Sequence, residues 1–222
     1  MSDLTLIIPA KNEKESLPKV LDELNEFNVR KNVIVEASDK LTIEAVKTYD
    51  CKIIYQDSHG YGDALKKGIE TVETEFFCIF NADGSFNPKE LDQMIEKLKN
   101  NNCDFVFASR YEKYCGSEDD TLITLVGNYI FTFLGKIFFK LKITDILYTF
   151  VMARASCAKK LRLTAKDFSF CVELPIKAQR AGYKICTSKS FERSRIAGKK
   201  KVNAFKDGLK ILFSMIKLFF RH

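Results

Sequence analysis

The densest chemical signal in this chain is Asn81-Ala82-Asp83-Gly84-Ser85, which ends the apolar run Phe76 to Phe80 and leads into Phe86-Asn87-Pro88, where a helix can open. In that setting Asp83 is a carboxylate held at a strand edge by a glycine turn, the position from which one hard cation can be offered to a diphosphate. The plainer reading makes it an Asx turn that caps the next helix. Other candidates are scattered. Asp145 follows an apolar, helix-like stretch, where a carboxylate either caps a turn or serves chemistry. Glu173, at the opening of a helix among apolar residues, either orients Arg195 or favours the helix N-terminus. Lys199-Lys200-Lys201 follows Arg195 closely and reads as a solvated basic loop or as an anion-binding one. The two histidines offer no triad and no zinc site, and His59 sits in a glycine-rich turn.

These residues need a scaffold that brings distant segments together. Through the first hundred residues strand-like runs at 4–8, 32–35, 51–55, 75–80 and 104–108 alternate with helical patterns at 15–27, 41–48, 62–72 and from Pro88 onward. Such alternation builds a mostly parallel sheet with helices on both faces. Ligands bind these sheets outside the carboxyl ends of the strands, and four segments follow strands directly: 9–13, 36–39, 81–85 and 109–111. Beyond Arg110 come a hydrophilic loop at 112–120, an apolar helical stretch at 122–139, a short strand region around 146–152 and a helix at 171–181 that stops at Gly182. A basic loop, 193–201, and a last helix close the chain. No repeat or linker interrupts it, so it reads as one domain over 1–201 followed by an amphipathic helix over 202–222.

The 222 residues, 46% hydrophobic and 29% charged, can bury a sizeable core, which excludes disordered, collagen-like and disulfide-scaffold classes. Thirty-six Lys and Arg against 29 Asp and Glu leave +7, a surplus that suits a phosphate-bearing ligand, a nucleic acid or an anionic membrane surface. No aromatic-basic motif supports nucleic acid. The seven cysteines form no C-x-x-C pair and several lie in apolar runs, as expected of reduced, buried thiols in a cytosolic protein. The first apolar run is short and follows Asp3, so no export signal is expected. The longest uncharged stretch, Thr121 to Gly135, falls below the ~18 to 20 residues of a spanning helix, and no bilayer crossing is expected.

Taken in order, Leu6-Ile7-Ile8-Pro9-Ala10-Lys11-Asn12-Glu13, His59-Gly60-Tyr61-Gly62-Asp63-Ala64-Leu65, the Asn81 to Ser85 segment and Ala108-Ser109-Arg110-Tyr111 resemble motifs of family 2 glycosyltransferases of GT-A fold. The similarity continues through Thr144-Asp145-Ile146-Leu147, residues 168–173, Ala178-Gln179-Arg180-Ala181-Gly182-Tyr183 and Arg195-Ile196-Ala197-Gly198-Lys199-Lys200-Lys201. It is greatest toward dolichol-phosphate and polyprenyl-phosphate sugar transferases. The resemblance implies an α/β GT-A (nucleotide-diphospho-sugar transferase) fold and an inverting hexosyltransferase. It implies that Pro9, Ala10, Lys11, Glu13, Glu36, Asp63, Asn81, Ala82 and Asp83 hold a nucleotide sugar, GDP-mannose or a UDP-hexose. Asp83, with Asn81 and Ser85, would bind Mg²⁺ or Mn²⁺, and Arg110, Arg195 and Lys201 would meet the phosphate of a polyprenyl acceptor. Physics agrees: a departing diphosphate and a separate acceptor anion each need their own positive charge. Asp145 would be the general base for a hydroxyl acceptor, or only a positioning group for a phosphate, which with a second pKa near ~6 is already an anionic nucleophile.

Three departures from the family pattern bear on catalysis. Glu36-Ala37-Ser38-Asp39 stands where two acids and Gly-Ser are usual, Asn81 replaces an acid, and Lys11 replaces an aromatic. Weaker metal affinity, an altered nucleotide preference and lost activity are each compatible with these changes. Alternatives are therefore a transferase acting on a saccharide acceptor in cell-envelope glycan synthesis, and a degenerate homologue that binds a nucleotide sugar without turnover. In the last helix Lys206, Lys210, Ser214, Lys217 and Arg221 form a stripe beside nine large apolar residues. That is the pattern of an interfacial helix on the cytoplasmic membrane face, with 122–139 beside it; a homodimer interface or core packing has the same periodicity.

Overall fold

The computed structural model describes residues 2–100, 102–198 and 200–220. In chain order the elements are β1 (Leu4–Ala10), α1 (Leu17–Leu24), β2 (Arg30–Val35), α2 (Lys40–Ala45), β3 (Lys52–Tyr55), α3 (Tyr61–Thr71), β4 (Phe76–Ile79), α4 (Glu90–Asn100), β5 (Phe105–Ser109), β6 (Gly116–Ser117) and α5 (Leu122–Phe139). Then follow β7 (Val151–Arg154), α6 (Ala155–Lys160), α7 (Phe170–Arg180), β8 (Ile185–Lys189), β9 (Phe191–Glu192) and α8 (Ala204–Phe220).

The continuous apolar runs of β1, β2 and β4 are buried on both faces, as parallel strands covered by helices must be. Seven strands form one sheet in the order β3-β2-β1-β4-β7-β5-β8. Only β7 runs antiparallel to its neighbours, β4 and β5. Period-two alternation divides the core: Leu4, Leu6 and Ile8 of β1 meet the α1 and α4 side, while Ile7 meets the side of α3, α6 and α7. The order changes direction between β1 and β4, so the carboxyl ends of β1, β2, β4 and β5 surround one crevice.

Three expectations need correction. The strand foreseen at 146–152 begins only at Val151. Ile146, Tyr148 and Phe150 are buried in alternation, but the Ile146 and Leu147 N–H groups donate to Thr132 Oγ1 and Asn128 Oδ1 of α5 rather than to a strand. α5 is the helical stretch expected at 122–139, but the expectation that nothing is long enough to span a bilayer does not hold, because its 18 residues, with mean hydropathy 1.6, are by length and composition long and apolar enough to cross one. The cysteines are not all reduced thiols, because Cys103, just ahead of β5, is disulfide-bonded to Cys186 on the adjacent β8 with Cα atoms 6.2 Å apart.

α5 is built inside out. Its buried residues are Asn128, Thr132, Gly135 and Phe139, while Ile123, Val126, Ile130, Phe133 and Ile137 face outward. α8 packs on α5 and α7 and has three faces. Asp207, Ile211 and Met215 are buried, Lys206, Lys210 and Lys217 share a second stripe, and Phe205, Leu209, Phe213, Ile216 and Phe220 are exposed. Phe219 meets Phe138 and Phe139 edge-on, so α5 and α8 have their C-terminal ends together. Arg221, at the end of the basic stripe, and Lys199 lie outside the described residues.

Candidate functional site

A cavity of ≈ 470 Å³ occupies the carboxyl edge of the sheet. Pro9, Ala10, Lys11 and Glu13 enter it from the end of β1, Glu36 from β2, Asn81, Ala82, Asp83 and Ser85 from β4, and Arg110 from β5. Arg195 and Lys201 arrive from the segment between β9 and α8. That segment is strapped onto the β4 turn: Arg193 N–H donates to the Ser85 carbonyl at 2.9 Å and Ile196 N–H to the Asp83 carbonyl at 2.7 Å. Gly84, at φ +83, makes the strap possible, since a Cβ there would lie 2.4 Å from Ile196 Cδ1.

Asp83 forms an Asx turn, but one that lies ahead of α4 rather than capping it. Its Oδ1 accepts from the Ser85 N–H at 3.0 Å and the Ser85 hydroxyl at 2.7 Å, an Asx turn that aims the carboxylate into the cavity. Its Oδ2 lies 3.6 Å from Arg195 Nη1. Asn81 accepts from the Tyr61 hydroxyl at 3.5 Å. Among the described residues no three His, Cys, Asp or Glu side chains gather as a closed metal site. One carboxylate, one amide oxygen and one hydroxyl suit a cation of the Mg²⁺ kind, which takes one or two protein carboxylates and completes its shell with phosphate oxygens. Six carboxylates against five Lys and Arg line the cavity, so its charge also admits a cation.

Every cationic side chain on the wall is already paired. Lys11 donates to Glu36 at 2.9 Å; this bond, with a second from His59, holds the Glu36 carboxyl below its usual range. Lys201 bonds Glu13, which also accepts from Ser16. Arg195 binds Asp119 at 2.9 Å and Lys200 reaches the same carboxylate at 3.3 Å. Burial works to raise Asp119, but these two cations outweigh it and the carboxyl sits below its ordinary value. Arg110 gives its Nε and Nη2 to the two oxygens of Asp145, at 2.7 and 2.9 Å. Its Nη1 faces Glu192 at 2.8 Å and Asp120 at 3.3 Å.

Asp145 therefore stands behind Arg110, wholly buried, with Asn128 Nδ2 donating to it at 2.5 Å; it does not line the cavity. Asp63 does not line it either. Placed in the first turn of α3, it accepts from the Ser58 N–H at 2.8 Å and braces the turn ahead of the helix. Glu173 orients no arginine, because it accepts from the Thr164 and Ala165 N–H groups and from Lys177. Asp39 caps α2 and takes the Asn12 N–H at 2.6 Å. Sequence reasoning missed Asp119, Asp120, Glu192 and Asn128. The first two lay in what reads as a hydrophilic loop, and Asn128 is the lone amide in an apolar run, which was its only signal.

A mostly parallel α/β sheet with an acid-bearing turn at the end of its fourth strand and a basic strap over it is the arrangement of the GT-A fold. The glycosyl transferase family 2 model matches residues 5–162, and the chain belongs to that family. An uncharacterised glycosyltransferase of Mycobacterium tuberculosis is 24% identical over 200 residues, covering 90% of this chain and 89% of its own. A dolichyl-phosphate hexose transferase of Haloferax volcanii is 24% identical over 218 residues, covering 97% and 93%. Among solved structures, glucosyl-3-phosphoglycerate synthase from M. tuberculosis in complex with Mn²⁺, UDP and glucosyl-3-phosphoglycerate shares the fold at TM-score 0.78 and 13% identity, over 97% of this chain and 79% of that one.

Proposed function

We propose that this chain moves a hexose from a nucleoside diphosphate donor, GDP-mannose or a UDP-hexose, to a polyprenyl, dolichol-type phosphate at the cytoplasmic face of a membrane. The observation that carries the reading is one wall shared by three parts: the Asp83 turn, the basic strap, and residues Thr124, Asn128 and Val202 at the N-terminal ends of two helices with apolar outer faces. The dolichyl-phosphate hexose transferase of H. volcanii, similar over nearly the whole chain, supports the acceptor class.

In this reading Pro9, Ala10, Lys11, Glu13 and Glu36 hold the nucleoside half of the donor. Asp83, with the Asn81 amide oxygen, would hold Mg²⁺ or Mn²⁺, which when bound supplies positive charge to the leaving diphosphate. Arg195 and Lys201 exchange Asp119 and Glu13 for phosphate oxygens as ligands enter, so fixed positive charge meets the reacting groups. Arg110 keeps one edge on Asp145 and turns the other, Nη1, from Glu192 and Asp120 to the acceptor phosphate. An acceptor oxygen attacks the anomeric carbon, the bond to the diphosphate oxygen breaks with its electron pair on the leaving group, and the centre inverts. A phosphate needs no base for this step, which suits an Asp145 that is buried and fully hydrogen-bonded.

A saccharide hydroxyl is the second reading, favoured by Glu192. Burial pushes its carboxyl above the ordinary value, toward the range useful to a base. The test is a panel of nucleotide sugars with Mn²⁺, with and without a polyprenyl phosphate or a soluble saccharide. Transfer to the lipid phosphate, abolished by Asp83→Ala with the fold intact, is the expected result. Transfer only to the saccharide selects the second reading, and donor binding without turnover to any acceptor identifies a non-catalytic homologue.

A further inference from the structure

The amide of Asn128 is buried in the wall of the cavity and used at both ends. Its Nδ2 donates to Asp145 Oδ1 at 2.5 Å, and its Oδ1 accepts from the Leu147 N–H at 3.1 Å. One turn on, Thr132 Oγ1 accepts from the Ile146 N–H at 3.2 Å. The segment carrying Asp145 is therefore hung from the inner face of α5 by three hydrogen bonds. Asp145 in turn holds one whole edge of Arg110 and its backbone N–H, the latter at 3.1 Å. The chain of contacts from α5 to the guanidinium is short, polar and buried, where loss of one donor leaves a carboxylate oxygen short of a partner.

The residues beside Asn128 along α5 point the other way: Tyr129 and Ile130 are 55% and 53% exposed. The guanidinium of Arg110 and the apolar outer surface are thus separated by little more than one helix, about 10 Å across. A helix whose outer face sinks among acyl chains by about 5–10 Å brings groups on its inner side to the level of lipid headgroups.

We infer that Asn128 is a positioning residue for the acceptor: through Asp145 it fixes the orientation of Arg110, and because it lies on α5 it sets that arginine at headgroup depth. The inference rests on the lipid-phosphate reading of the site. It assigns Asn128 no contact with the donor, which enters from the β1, β2 and β4 side. Its loss therefore acts on acceptor binding alone.

The test is steady-state transfer to a polyprenyl phosphate in anionic vesicles by the full chain and by Asn128→Asp and Asn128→Leu. Asn128→Asp keeps an oxygen for the Leu147 N–H and so keeps the helix-to-loop bond, but it replaces the amide donor with a second carboxyl against Asp145, which either repels that carboxylate or takes up a proton to bond it. The decisive variant is therefore Asn128→Leu, which loses both bonds. Its acceptor KM should rise about tenfold while its donor KM stays within about twofold and its circular dichroism is unchanged. In the Asn128→Asp and Asp145→Asn double variant the two effects should not multiply, because both act through one contact. An unchanged acceptor KM in Asn128→Leu, or donor and acceptor KM rising together, overturns the inference while leaving the function standing. Absence of transfer by the unaltered chain overturns both.

Discussion

Glu173 accepts from the Thr164 N–H and hydroxyl, the Ala165 N–H and the Lys177 ammonium, and so fixes a segment that presses on the cavity turn. A Cβ on Gly60 would lie 2.2 Å from the Lys166 carbonyl oxygen, and one on Gly62 would lie 2.6 Å from that of Ala165. Phe168, two residues on, stacks on Tyr61 at 5.0 Å. Burial alone would raise the Glu173 carboxyl, but Lys177 and the N–H donors together hold it below its usual value. A carboxyl with a lowered folded-state pKa contributes stability that is complete above the unfolded value, about 4.3 for Glu, and is lost as pH falls through the lowered one. Glu173→Gln should therefore cost about 2 kcal/mol at neutral pH, and thermal denaturation against pH should show the variant and the parent converging in acid. Asp83, Gly84 and Arg195 could be picked out of the sequence because their types and order are distinctive. The partners of Glu173 and Arg110 could not, since Thr164, Glu192 and Asp145 become neighbours only through the sheet order and the path of the loops.

Apart from the short α6, which the sequence did not signal, the helices were legible in existence and period, less so in what each face meets. On α8 the spacing of lysines is reproduced, but the apolar remainder divides: Ile211 and Met215 enter the core against α5 and α7, while Phe213 is 66% exposed. Deleting everything after Lys201 would thus open the core as well as remove an outer face. Point changes on that outer face are the cleaner probe. Phe213→Glu and Ile130→Glu should each weaken sedimentation with anionic vesicles several-fold while altering stability by no more than about 0.5 kcal/mol, as expected for exposed positions. The binding of the parent chain should fall with salt yet not vanish, because the lysine contribution is screened and the apolar one is not. If the substitutions leave vesicle binding intact and instead dissociate a dimer, the face joins two copies of the chain. The strand foreseen at 146–152 illustrates the limit of period reading: alternate burial arises there from a loop pinned by Asn128 and Thr132, which no period records.

Across the whole molecule, the Cys103–Cys186 bond ties the edge strand β8 to β5 and closes an 83-residue separation. Chain-entropy arguments put its contribution at about 4 kcal/mol, so reduction, or Cys186→Ser, should lower the melting temperature by about 10 °C in differential scanning calorimetry. The pairing was invisible in the sequence because the two cysteines share no local spacing; only the insertion of β8 beside β5 brings them together. The fold as a class was legible from the alternation of strands and helices, whereas the antiparallel β7 and the strap that folds Arg195 back onto β4 depend on contacts far apart in the chain. One flank of the molecule departs from the rule that governs the rest. Around the sheet, apolar positions are the ones least free to change, because each fills a shaped space. Along α5 the relation runs in reverse: Ile123, Val126, Ile130, Phe133 and Ile137 are about half exposed or more, fill no closed space and can be interchanged among apolar types. Inside, a methyl group on Gly135 would come within 3.0 Å of Ile146 and 3.1 Å of Leu141, and Asn128 and Thr132 have fixed partners. On this helix, therefore, the inward Asn128, Thr132 and Gly135 should tolerate substitution less than the outward apolar residues do.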